Sequence, residues 1–143
     1  MTREQLQEQC ELGQRQLMAT EYLDAIDTLA AAEAVAWANR DYDTLARLYM
    51  PLQEARRQAR QRCGEGTVRF DIIARAPGDA IDPEQLPNHG QLLVAGWASM
   101  EPALRVRAIA RERQQYVETF LAAAFPVAGS ADPAIVVVPL DDV

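Results

Sequence analysis

The sequence predicts an α+β protein: a helical N-terminal hairpin or three-helix unit, followed by a small three-stranded sheet with a βαβ crossover. Three observations predict it. Residues 1–63 are rich in Ala, Leu, Gln, Glu and Arg, which lose little entropy in a helix, and they hold no strand-like run. From Thr67 onward the period changes, and "VRFDIIARA", "QLLVAGW" and "AIVVVPL" read as strands, being short, β-branched or aromatic, and bounded by Gly or Pro. Between the halves lies "RCGEGT", Arg62 to Thr67, which divides the chain into units of residues 1–63 and 64–143, packed as one globular domain. A chain of 143 residues with 49% hydrophobic and 24% charged content can bury a core without staples.

Each element has its own signal. Tyr22, Ala25, Ile26, Leu29, Ala32, Val35 and Ala36 recur at three-to-four spacing and form one apolar stripe, with Asp24, Asp27 and Glu33 off it. A break falls at Asn39 to Asp41, whose side chains can cap the next helix, and Leu45, Leu48, Tyr49 and Leu52 carry the apolar face on. Pro51 lacks an N–H, so a kink or short restart is expected near Met50, and Gly64 and Gly66 stop the helix after Cys63. In the second half "PGDAIDPEQLPNHG" is an exposed loop. One long helix is expected from about Met100 to Ala124, with Val106, Ile109, Ala110, Val117, Phe120, Leu121 and Ala124 as its stripe and Pro126 as its end. Strand, helix, strand in that order implies a right-handed crossover with parallel pairing between "QLLVAGW" and "AIVVVPL".

The segment "LGQRQLMATEYLDAIDTLAAA" resembles a tetratricopeptide helical hairpin. Leu12, Gly13, Tyr22, Ala25, Leu29 and Ala32 fall where that family places its small and large packing residues. "DYDTLARLYMPL" is similar to the second helix of such a repeat, with Tyr42, Leu45, Tyr49 and Leu52. The helices led by Tyr22 and Tyr42 start twenty residues apart, whereas the family period is about 34, so the two matches are not two repeats in register. The resemblance covers less than half the chain and implies antiparallel helices with a groove that takes a peptide.

Charge narrows the function. A formal charge of −7 and a pI near 4.7 oppose phosphate-backbone binding, so no nucleic-acid partner is expected. All 14 basic residues are Arg, a bacterial-type bias that tracks genome composition. The polar start "MTREQLQEQCELGQ" lacks the apolar core of a signal peptide, and no window reaches about 18 apolar residues, so the expectation is a cytoplasmic protein without membrane contact. Cys10 and Cys63 sit in helical patterns and suit reduced, structural thiols.

No catalytic motif is present. Ser99, His89 and Asp82 form a conceivable serine-based grouping, but "GWAS" lacks the GxSxG elbow. With His89 the single histidine, and with Asp79, Asp82 and Glu84 lacking a calcium-loop spacing, neither metal nor cofactor is expected. The strand-to-helix turn at Gly96–Ser99 is the alternative site, for an anion or small molecule, with His89, Gly96, Trp97, Ser99 and Arg105 as contacts. Against it, Ser99 and Pro102 account for the turn as an ordinary capped helix start, and Glu101 would repel a phosphate there.

Three strands make an incomplete sheet that needs cover, which favours a non-enzymatic interaction or assembly module: a homo-oligomer, a small subunit or an adaptor. Trp37, Tyr42 and Tyr49, beside a helical groove, are its candidate partner-binding residues, joined by Arg56, Arg57 and Arg60, whose shared face suits either helix C-terminal capping or an acidic partner. Arg113 falls on the apolar stripe of the long helix, where it would pair with a buried carboxylate or line a crevice.

Overall fold

The computed structural model describes residues 1–139, apart from the side chain of Gln85. The chain divides into two compact units, Met1–Gln61 and Arg62–Val143. The first holds three helices, α1 (Arg3–Met18), α2 (Tyr22–Ala38) and all but the last residue of α3 (Tyr42–Arg62). The second holds β1 (Val68–Ile73), a 3-10 turn (Pro83–Gln85), β2 (Gly90–Trp97), α4 (Glu101–Glu112), β3 (Val117–Phe125) and β4 (Ala134–Val137). The protein is α+β.

The N-terminal helices begin and end where backbone groups find partners. Thr2 and Gln5 form a reciprocal capping box at the start of α1. At its end Thr20 takes a left-handed conformation, with Thr20 N–H donating to Leu17 and Glu21 N–H to Gln16. Arg40 ends α2 in the same way, with Arg40 N–H on the Trp37 carbonyl and Asp41 N–H on that of Ala36. Both are Schellman stops, normally the place of glycine, here built on Thr and Arg. The three-residue connections 19–21 and 39–41 turn each helix back against its predecessor.

Between the helices lies a core of Leu6, Cys10, Leu29, Ala32, Ala36, Leu48 and Leu52. Each fully buried Leu contributes about 1.5–3 kcal/mol. Gly13 is required where α1 meets α2: a Cβ there would stand 2.5 Å from Cγ and Cδ2 of Leu29. Pro51 does not restart the helix as its ring predicts, because α3 runs unbroken from Tyr42 to Arg62. Leu48, Leu52 and Ala55, buried on both sides of Pro51, hold both halves on the core and offset the lost hydrogen bond.

In the second unit the sheet has four strands in the order β1-β2-β3-β4, with β1, β2 and β3 parallel and β4 antiparallel to β3. This corrects the expected three strands and the expected long helix. The helix ends at Glu112, and Val117, Phe120, Leu121 and Ala124 belong to a strand rather than to its stripe. Two causes combine. Gln114, left-handed at φ 52°, ends α4 in a third Schellman stop, its N–H on Arg111 and that of Gln115 on Ala110, with no glycine to announce it. Residues 117–124 then pair in register with all of β2, and that ladder overrides the helix propensity of the alanines. The crossover therefore joins β2 to β3, and "AIVVVPL" supplies the antiparallel β4 instead of its parallel end; Leu140 lies outside the described residues. The first strand ends at Ile73, short of the full "VRFDIIARA".

The sheet is apolar on both faces, as interior parallel strands require. Ile72, Leu92, Val94 and Leu121 pack on Ala103 and Val106 of α4. Leu93, Ala95, Ala122 and Ala124 form the opposite face, with Val68, Ile73, Trp97, Phe120 and Ile135 around them.

The left-handed strain at Gln114 predicts that Gln114→Gly raises stability by about 1 kcal/mol, the cost of holding a Cβ in that conformation. Urea unfolding should show a higher midpoint with an unchanged slope.

Candidate functional site

The turn between α2 and α3 sets the geometry of the exposed aromatic residues. Arg40, left-handed at φ 54°, brings the end of α2 back toward the start of α3. Asp41 then caps α3: one carboxylate oxygen accepts the Thr44 N–H at 3.1 Å and the other the Thr44 hydroxyl at 2.7 Å. The Thr44 hydroxyl, followed by the Thr44 N–H, holds the Asp41 carboxyl below its usual range. Arg47 donates to the Thr44 hydroxyl oxygen and to Gln7 of α1, tying the start of α3 to the first helix.

This turn places Trp37 and Tyr42 edge to face, with ring centroids 6.4 Å apart and planes at 87°. Both stay open to solvent, at 60% and 63% exposure, and Tyr49, two turns further along α3, is 57% exposed. Met50 beside it is 70% exposed. None of the three aromatic rings is core, although the sequence had put Tyr49 on the apolar face of α3. The apolar face holds Thr44, Leu48, Leu52, Ala55 and Ala59 instead.

The arginines on α3 are engaged within the chain. Arg57 forms a two-pronged pair with Glu54, at 2.9 Å and 2.7 Å, and this pairing, aided by Gln58, pulls the Glu54 carboxyl down to about 2. Arg56 reaches Glu33 of α2 at 3.9 Å. Arg60 is exposed on the last turns of the helix. Exposed pairs of this kind contribute little stability, so their main effect is to orient the guanidinium groups.

The alternative site is separated and filled. His89 precedes β2, whereas Trp97 is its last residue and Ser99 follows it, and eight strand residues at about 3.3 Å each put His89 roughly 25 Å away. The Ser99, His89, Asp82 grouping therefore does not assemble, and Asp82 instead accepts the Glu84 N–H at 3.0 Å. At the turn, Ser99 Oγ accepts the Glu101 N–H at 3.1 Å, one residue ahead of Met100, which occupies the N-cap position. A Cβ on Gly96 would stand 2.6 Å from Pro102 Cγ and 2.7 Å from the Ser99 carbonyl, so the first turn of α4 already fills this space. Trp97 is half-buried on the second face of the sheet, and Arg105 pairs with Glu101 at 3.6 Å. Arg113 lines a small cavity with Leu86, Pro87 and Val106, and it bonds Glu84, which is exposed rather than buried.

Among the described residues no group of three or more His, Cys, Asp and Glu is placed to hold a metal ion, and no helix is long and apolar enough to cross a membrane. Cys10 and Cys63 are buried and not joined in a disulfide, and burial pushes the Cys10 thiol up.

Sequence reasoning missed one regularity. Tyr42, Ala46, Tyr49, Gln53, Arg56 and Arg60 recur at spacings of four and three along α3, and all but the half-buried Arg56 are exposed. The signal lay in plain view as a second stripe, out of phase with the core residues.

Two predictions follow from these contacts. Because the Asp41 carboxyl titrates lower in the folded chain than in the unfolded one, its contribution is present above about pH 4 and is lost as pH falls through the folded value. The destabilisation caused by Asp41→Ala should thus be constant at neutral pH and shrink toward pH 2, read from melting temperatures of both proteins. Gly96→Ala should cost about 1–3 kcal/mol in urea unfolding, since the added methyl meets a backbone carbonyl and a ring that cannot swing aside.

Compared with protein-family models, with curated proteins and with solved structures, the chain matches none, so its own residues carry the functional reading.

Proposed function

We propose that this protein is a non-enzymatic interaction or assembly module, working as a homo-oligomer or as a small subunit or adaptor of a larger complex, and that it binds through the α2–α3 surface. The observation that supports this is the exposed aromatic group: Trp37 and Tyr42 in contact edge to face, with Tyr49 on the same side of α3 as Tyr42. Trp, Tyr and Arg dominate the energetics of protein interfaces because they offer large, stiff contact area with a polar tip. Trp37 and Tyr42 lie against each other, so each ring has part of its freedom already restricted before binding. Exposed rings on a well-packed three-helix unit bring no core stability, which separates their role from that of Leu48 and Leu52.

The tetratricopeptide resemblance agrees with this reading, since a helical hairpin with a groove suits a peptide or helical partner. Arg56 and Arg57, already paired with Glu33 and Glu54, frame the surface rather than supply free charge.

Trp37→Ala and Tyr49→Ala should each weaken association at least tenfold while the helical circular dichroism and melting temperature stay close to those of the parent. Native mass spectrometry of protein gently purified from its host should show added polypeptide mass or multiples of 15.9 kDa, lost in both variants. A bare monomer in every preparation would overturn the proposal.

A further inference from the structure

We draw no further inference here: the strongest candidate, the exposed apolar edge of the sheet at Val136 and Val137 of β4, carries none, since nothing in the structure shows what covers it.

Discussion

At three of its four helix ends this chain reverses through a residue that is left-handed and is not glycine, and the rest of the structure is arranged around those reversals. Thr20, Arg40 and Gln114 each carry a Cβ into a conformation that costs about 1–2 kcal/mol, and each is held there by two backbone hydrogen bonds to the last helical turn. Those bonds satisfy carbonyls that would otherwise be orphaned, and the tertiary contacts that follow hold the reversal in place. After Thr20, α2 lays Leu29 onto Gly13; after Gln114, β3 lies in register along β2. Strain at the turns is thus spent on bringing two surfaces into contact.

The reversal at Arg40 has a second result, because it sets the exposed surface. The same turn that returns α3 to the core presents Trp37 and Tyr42 to solvent as an edge-to-face pair. α3 then carries two stripes with different chemistry. Its inner one, through Leu48 and Leu52, holds the three helices together. Its outer one, through Tyr42 and Tyr49 to Arg60, lies toward solvent and takes no part in that core. The strand-to-helix turn of the second unit is the reverse case. There Ser99 takes the Glu101 N–H and Pro102 packs closely over Gly96, so the start of α4 is joined tightly to the end of β2.

Much of this was legible from residue order alone. Binary pattern and propensity marked the N-terminal half as helical, the Asn39 to Asp41 break between α2 and α3, the strands around Ile72 and Val94, and the start of α4 at Pro102, because each rests on local chemistry that neighbours in sequence supply. The Trp and Tyr residues of the surface were visible as candidates for the same reason. Tertiary structure decided the remainder. "VETFLAAAF" is a strand because β2 offers it a full ladder, which no local propensity encodes, and β4 is antiparallel because the crossover had already been completed by β3. Pro51 stays inside a helix because the core grips both sides of it. That Tyr49 faces water while Leu48 is buried depends on which face α1 and α2 cover, and a stripe of mixed rings and arginines becomes a surface only once that packing is settled.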